Sequence, residues 1–178
     1  MRLGTTTTTT TTTRSLLLCL FTRDLDAFGE SATAGIAVRD AGGVKGLGAF
    51  ALRSFAEGET VGDYEGEILS RREADARYYG GPATWRDRIW KSTHASHTGN
   101  YLFEVEPDVV VDAEDATKAN WCRYINHSNE PNLRVKSLPE AYGGRPRVWF
   151  VALRTISVGE ELCFDYGDRY WREDELPS

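Results

Sequence analysis

Two short segments near the C-terminal end of the sequence constrain the fold and the function more than any other feature. The first reads Arg-Tyr-Ile-Asn-His-Ser at residues 123–128, and the second reads Glu-Leu-Cys-Phe-Asp-Tyr-Gly at residues 161–167. Each sets a polar pair, Asn-His or Asp-Tyr, in a largely apolar stretch, where a polar group without a partner is costly. This concentration of polar groups predicts a functional site rather than an ordinary surface.

Length, cysteine usage and charge narrow the class of protein. The 178 residues fit one domain, and the three cysteines form neither a metal-ligand spacing nor a disulfide framework. Residues 1–23 hold three arginines and no acidic residue, which leaves the remainder with a net charge of −9. An acidic body disfavours general nucleic-acid binding and attracts a cationic peptide, although net charge also serves solubility alone. The longest apolar run is far too short for a membrane span.

The chain divides near residue 30. An unbroken threonine tract at residues 5–13 offers no apolar face to bury, so residues 1–30 are predicted to form a low-complexity, disordered leader. Their arginines and hydroxyl residues also give this leader some transit-peptide character. We expect one folded domain over residues 34–171 and a C-terminal tail over 172–178.

The pattern from residue 34 onward predicts a mainly β fold of several small sheets. Short apolar runs alternate with glycines and turn residues. The predicted strands are 35–38, 49–52, 60–68, 101–105, 109–111, 133–136, 148–153 and 161–164. A capping box at Ser70–Glu73 predicts a helix from Ser70 to Tyr79, ended by Gly80-Gly81-Pro82. A second short helix is predicted over Thr117 to Tyr124.

Two further motifs are weak when each is taken alone. The turn Lys45-Gly46-Leu47-Gly48 lies between two predicted strands, where glycines allow close approach of a ligand or a tight hairpin. Tyr64-Glu65-Gly66 ends a strand, where a tyrosine is usually a half-buried sheet residue. Their order and spacing relative to the two C-terminal segments make the set specific.

Taken together, the four motifs resemble those of the SET-domain protein-lysine methyltransferases over about residues 34–171. The resemblance implies a fold of small sheets with a knot-like C-terminal crossing, an exception to the usual absence of threading. It also implies S-adenosylmethionine as the cofactor, bound in a bent pose on one face. The matching cofactor-binding positions are Lys45, Gly46, Leu47, Gly48, Tyr101, Asn126 and His127.

The resemblance further implies a narrow aromatic channel through which the substrate lysine enters from the opposite face. Tyr64, Phe103, Phe164 and Tyr166 match channel positions, and the hydroxyls of Tyr166 and Tyr64 match the catalytic ones. In the family a phenylalanine at the position of Phe164 leaves room for di- or trimethylation.

One departure from the family concerns zinc. Many members carry a cysteine where Asn129 stands and bind zinc with a cysteine-rich tail, but no cysteine follows Gly167 here. We therefore expect no metal site. Tyr170 and Trp171 are candidates to wall the lysine channel, with simple core packing as the other interpretation.

The resulting prediction is a protein-lysine N-methyltransferase that most resembles enzymes acting on histone tails in the nucleus. A non-histone protein lysine stays open as substrate, and an organelle or the cytoplasm stays open as location. Two other classes also remain: a catalytically silent SET module that binds a peptide or protein, and an unrelated β-rich domain with chance matches. No direct nucleic-acid or membrane binding is expected.

Overall fold

The computed structural model of the chain describes residues 30–31, 34–43, 45–94, 96–141 and 143–167. Nearly all of the predicted leader and the whole predicted tail lie outside the described residues, and so do the channel candidates Tyr170 and Trp171. The domain boundaries at residues 34 and 171 therefore stay predictions.

The described structure contains three small sheets, as the sequence predicts. The first contains β1 (Glu30–Ser31), β2 (Ile36–Asp40) and β3 (Leu47–Ala51) in that order. The second has the order β4-β10-β9-β11-β8, and the third has the order β5-β7-β6. Their strands are β4 (Thr60–Asp63), β5 (Glu67–Ser70), β6 (Leu102–Glu106), β7 (Val109–Asp112), β8 (Asn126–His127), β9 (Leu133–Leu138), β10 (Arg147–Ala152) and β11 (Cys163–Phe164).

The prediction of one continuous strand over residues 60–68 is wrong. β4 pairs with β10 in the second sheet, whereas β5 pairs with β7 in the third. The chain changes sheets at Tyr64-Glu65-Gly66, and Gly66 lies so close to the main chain of Asp112 that a Cβ there would clash. Gly66 was the available signal for a break, because a glycine weakens a strand interior, but the residues on both sides of it are β-forming.

The first helical segment begins where the capping box predicts. Ser70 is the N-cap of α1 (Arg71–Ala74), and the Ser70 and Glu73 side chains each accept the other residue's main-chain N–H. The helix continues as a π-helical turn (Asp75–Tyr79) and ends at Gly80, which has φ of +77°. The predicted start and end of the helix are confirmed. The π-helical geometry of its second half was not predicted.

The other helix prediction is wrong in extent, and one helix was missed. Only Trp121–Tyr124 is helical within 117–124, as a 3₁₀ turn whose N-cap is Asn120. The missed helix, α2 (Trp85–Thr93), begins at a second capping box, between Thr84 and Asp87. Its apolar residues Trp85 and Ile89 are largely exposed, so the segment lacks the apolar face that predicts a packed helix.

The two C-terminal motifs meet in one sheet. β11 runs parallel to both β8 and β9 and lies between them, although residues 128–132 connect those two strands in the chain. The main-chain N–H groups of Ser128 and Asn132 donate to the carbonyls of Phe164 (3.1 Å) and Cys163 (3.2 Å). The C-terminal strand is thus held inside the 126–133 segment, as expected for the knot-like crossing.

The main core lies beneath this crossing and the first sheet. Its largest fully buried side chains include Phe55, Ile125, Leu133, Phe150 and Leu162. Ile125 and Leu162 belong to the two motifs, so each motif is anchored by an apolar residue in the same core. Among the described residues, no helix has the length and apolar character needed to cross a membrane.

Candidate active site

The glycine turn between β2 and β3 forms one wall of the site. The Ala41 N–H donates to the Gly46 carbonyl at 2.8 Å, and Gly46 adopts φ of +69°, a conformation that favours glycine. No heavy atom lies within 4 Å of the point where a Cβ on Gly46 would stand. The main chain of the turn is therefore open to a ligand at Gly46.

Asn126 joins the crossing to this turn. Its Nδ2 donates to the Leu47 carbonyl (3.1 Å) and to Oε1 of Glu161 (2.9 Å). The other carboxylate oxygen of Glu161 lies 3.3 Å from the Lys45 ammonium. At Gly48 a side chain would collide with Glu161 and Asn126, which explains why a glycine stands there. The structure thus brings together five of the predicted cofactor residues.

His127 faces the other way from its neighbour in β8, as successive strand residues do. Its Nδ1 accepts the main-chain N–H of Tyr166 at 3.2 Å, and the two rings meet edge to face with centroids 5.5 Å apart. The strand β8 therefore contacts the glycine turn through Asn126 and the tyrosine segment through His127.

The two predicted catalytic tyrosines share one hydrogen-bonding arrangement. The Tyr166 hydroxyl donates to the carbonyl of Ile125 at 2.8 Å, and the Tyr64 hydroxyl donates to the carbonyl of Tyr101 at 2.9 Å. Because a hydroxyl has a single hydrogen, each oxygen keeps its lone pairs as acceptors for another group. Both oxygens can therefore accept a hydrogen bond from an amine.

A continuous series of aromatic rings runs through the site. Phe103 contacts Tyr64 (5.8 Å between centroids), Tyr64 contacts Phe150 (6.3 Å), and Phe150 contacts Phe164 (4.9 Å). Phe164 in turn contacts Tyr166 at 4.7 Å. Phe150 was not among the predicted site residues, because a phenylalanine in a buried strand gives no sequence signal beyond core packing.

All of these rings except that of the fully buried Phe150 border a cleft of about 1030 Å³. Tyr64, Phe103, Phe164 and Tyr166 all line it, so the structure brings the four described channel candidates to one cavity. Ile125, whose carbonyl holds the Tyr166 hydroxyl, lines the same cleft. Polar and charged residues line the cleft as well, among them Arg71, Glu104 and Glu106, so the aromatic rings and the two hydroxyls form one part of its wall.

Burial raises the pKa of the Tyr64 hydroxyl well above its usual value, and the nearby Tyr166 acts in the same direction. Tyr64 therefore stays protonated throughout the neutral and moderately alkaline range. It can orient a substrate through hydrogen bonds, but it does not serve as a general base at neutral pH.

Tyr101, a predicted cofactor residue, lies against a different part of the site from the glycine turn. Its carbonyl accepts the Tyr64 hydroxyl, and its ring lies under the Arg123 guanidinium at 4.0 Å. A cationic group over an aromatic face is a favourable pairing. In this structure Tyr101 thus supports Tyr64.

The site also depends on polar residues that had no predicted role. Glu161 connects Lys45 with Asn126, and the buried Asn132 exchanges hydrogen bonds with the main chain of the crossing: its Nδ2 donates to the Glu161 carbonyl (2.7 Å) and its Oδ1 accepts the Cys163 N–H (2.9 Å). Both residues stand within or beside the two motifs. A polar residue in an apolar stretch was the available signal, but its partner could not be read from the sequence. Among the described residues, no group of three or more His, Cys, Asp or Glu could hold a metal ion.

Comparison with known families agrees with this geometry. The family model described as the SET domain matches residues 46–167, from the glycine turn to the end of the last motif. The chain belongs to the SET-domain family. Both the glycine turn and the crossing described above fall inside the matched range.

Several curated SET-domain relatives share about a third of the aligned residues. Histone-lysine N-methyltransferase ASHH3 of Arabidopsis thaliana is 34% identical over 121 residues, covering 68% of this chain and 29% of the relative. Histone-lysine N-methyltransferase CLF of the same plant is 35% identical over 135 residues, 76% of this chain and 13% of the relative. Histone-lysine N-methyltransferase set1 of Dictyostelium discoideum is 33% identical over 119 residues, 67% of this chain and 7% of the relative. The chain thus spans less than a third of the length of each of these relatives.

Proposed function

We propose that this SET domain transfers methyl groups from S-adenosylmethionine to the side chain of a lysine in a histone tail. The observation that carries the proposal is the position of Tyr166. Its hydroxyl lines an aromatic cleft, while its main-chain N–H is tied through His127 to the strand that also contacts the glycine turn. A methyl donor at the turn and a lysine in the cleft would then meet beside one hydroxyl.

The residues around the glycine turn fit an adenosyl amino acid. Such a ligand needs main-chain polar groups and an amide, which Gly46 and Asn126 supply. The open space beside Gly46 supports close approach of the ligand to the main chain. When bound, S-adenosylmethionine supplies an electrophilic methyl group on a sulfonium.

On the lysine side, the cleft favours the neutral amine. A free lysine has a pKa of about 10.4, so the form able to attack is scarce at neutral pH. Transfer into an aromatic cleft disfavours the ammonium and lowers that pKa. The hydroxyl oxygens of Tyr166 and Tyr64, already donating to main-chain carbonyls, accept hydrogen bonds from the amine and align its lone pair. No general base is required.

A histone tail as substrate, and the nucleus as location, rest on two observations. The matched relatives are named histone-lysine N-methyltransferases. The chain beyond residue 23 carries a net charge of −9, which attracts a cationic tail. Phe164 has no hydroxyl to hold a water in the cleft, so we expect products beyond monomethyllysine.

A test combines labelled cofactor with core histones and compares the natural chain with Tyr166→Phe. We expect the variant to lose at least about 100-fold in kcat, because a positioned group is removed, and to bind cofactor within about twofold of the natural affinity. Tyr124→Phe, a neighbouring half-buried tyrosine without an assigned role, is the matched control. Mass spectrometry of the product gives the modified lysine and the number of methyl groups.

The outcomes separate the open alternatives. Cofactor binding without transfer to any protein would leave a silent binding module, and transfer to lysate proteins but not to histones would change only the substrate. No measurable cofactor binding would contradict the proposal altogether.

A further inference from the structure

Asn129 contacts the imidazole that holds the catalytic segment. Its Oδ1 lies 2.9 Å from Nε2 of His127, while Nδ1 of the same ring accepts the Tyr166 main-chain N–H at 3.2 Å. Two hydrogen bonds thus connect the Asn129 amide to the His127 imidazole and the imidazole to the Tyr166 main chain. Asn129 itself touches neither the cleft rings nor the glycine turn in these hydrogen bonds.

The main-chain N–H of Tyr166 sets the direction of both hydrogen bonds, because it can only donate. A main-chain N–H has no acceptor capacity, so Nδ1 must present its lone pair to Tyr166. The neutral imidazole then carries its hydrogen on Nε2, and Nε2 needs an acceptor. The Asn129 oxygen is that acceptor. If the Asn129 amide were flipped, its Nδ2 donor would face the Nε2–H donor of His127.

We propose that Asn129 is a positioning residue: it stabilises the Nε2–H tautomer of His127 and thereby fixes the Tyr166 main chain beside the cleft. A ring nitrogen's state is set by the hydrogen bond that the other nitrogen makes. Without the acceptor at Nε2, the Nε2–H tautomer is less favoured, and a larger share of the rings carries the hydrogen on Nδ1. The effect of Asn129 on methylation rests on the proposed function, whereas the effect of Asn129 on the tautomer does not.

The charges around His127 explain why a neutral amide suits this position. Among the described residues, Asp165 is an acidic group that faces the ring, with Oδ1 3.8 Å from Nδ1 and a side chain that is 65% exposed. A proton on Nδ1 would pair with Asp165 but would oppose the Tyr166 N–H. A second carboxylate at position 129 would favour that protonated ring further, and the uncharged amide avoids this.

The test compares two variants of equal shape, Asn129→Leu and Asn129→Asp. Leucine removes the acceptor, while aspartate restores an oxygen in the same place. Nitrogen-15 shifts of the imidazoles report the tautomer, and the three histidines of the chain are assigned with His94→Gln and His97→Gln. All measurements are made on the alkaline plateau of a pH series, where the shifts of each variant no longer change and the rings are neutral.

We expect the natural chain and Asn129→Asp to show the Nε2–H tautomer, and Asn129→Leu to shift toward Nδ1–H. Methylation by Asn129→Leu should fall about 2- to 10-fold in kcat, the range for one lost hydrogen bond, with KM for the peptide nearly unchanged. Asn129→Asp should restore kcat to within about twofold. Glu130→Leu, which places the same apolar side chain on the next exposed residue, should match the natural chain.

Unchanged His127 shifts in Asn129→Leu would overturn the proposal, as would an equal loss of kcat in Glu130→Leu. If no variant, including the natural chain, methylates any protein while the shifts behave as expected, the proposed function fails and the tautomer assignment stands. If Asn129→Leu methylates normally and its His127 shifts are unchanged, the proposed function stands and the tautomer assignment fails.

Discussion

The C-terminal crossing and the helical insert, residues 71–100 between β5 and β6, are held together by different chemistry. In the crossing, β11 is fixed by main-chain hydrogen bonds and by the neutral amide of Asn132, which is buried. In the insert, Ala74 packs against Leu69 and Val110, and charged side chains make further contacts. Arg77 pairs with Glu67 at 3.0 Å and with the buried Asp112 at 3.4 Å.

The insert network continues to the wall of the cleft. Tyr78 donates to Asp112 at 2.7 Å, and the buried Glu114 accepts the N–H groups of Thr98 and Gly99. Thr98 and Gly99 both line the cleft. The acidic residues of β7 and the turn after it thus hold one edge of the candidate site.

The crossing, which aligns the candidate reacting groups, and the insert, which borders the cleft around them, therefore differ in how they are stabilised. The main-chain and Asn132 hydrogen bonds that hold β11 involve no charged group, so they depend little on pH and salt. Charged pairs at partly exposed positions depend on both. We therefore expect the crossing to resist acid and salt better than the insert.

Removal of the Asn132 amide is expected to give the largest effect on stability. Asn132→Ala leaves the buried Cys163 N–H and the Glu161 carbonyl without their partner and should lower the free energy of unfolding by about 3 kcal/mol. Urea unfolding measures the change. Asn132→Leu is the matched variant, because it fills the space and isolates the lost hydrogen bonds from a cavity. A loss below about 1 kcal/mol in both would mean that main-chain pairing alone holds the crossing.

An intermediate, pH-dependent effect is expected for Glu67→Gln. The Arg77 and Lys118 side chains lower the pKa of Glu67 from 4.5 to about 2. A lowered pKa gives stability that is present above 4.5 and is lost as the pH falls toward about 2. Because the Glu67 side chain is 31% exposed, we expect only about 1–2 kcal/mol at neutral pH.

Urea unfolding of the natural chain and Glu67→Gln over a pH series checks this prediction, with the exposed Glu57→Gln as control. The difference in stability between the two chains should shrink to nothing as Glu67 becomes protonated. A constant difference at all pH values would contradict a charge-based role.

The smallest effect is expected at the start of α2. Thr84→Ala removes half of a capping box and should cost about 1 kcal/mol, confined to this helix. Hydrogen exchange of the α2 amides should become faster, while the crossing keeps its protection. Equal acceleration of exchange in the core strands would instead show that α2 unfolds only together with the core.

The sequence predicted elements whose signals are local. The Ser70–Glu73 capping box gave the start of α1, and Gly80 gave the end of the following turn. The equivalent Thr84–Asp87 box of α2 was missed, because Trp85 and Ile89 are exposed and no apolar periodicity supported a helix there. The break between β4 and β5 was missed because both sides of it have β-forming residues.

The sequence by itself determined the family and most of the residues of the site, because motif residues stand close together along the chain. Tertiary structure alone decided which atoms meet. Lys45 pairs with Glu161, His127 accepts from Tyr166 and contacts Asn129, and Tyr64 donates to Tyr101. Most of these contacts join residues far apart in the chain, and their direction depends on the few donors and acceptors left once the main chain has paired. A linear pattern carries no record of that pairing.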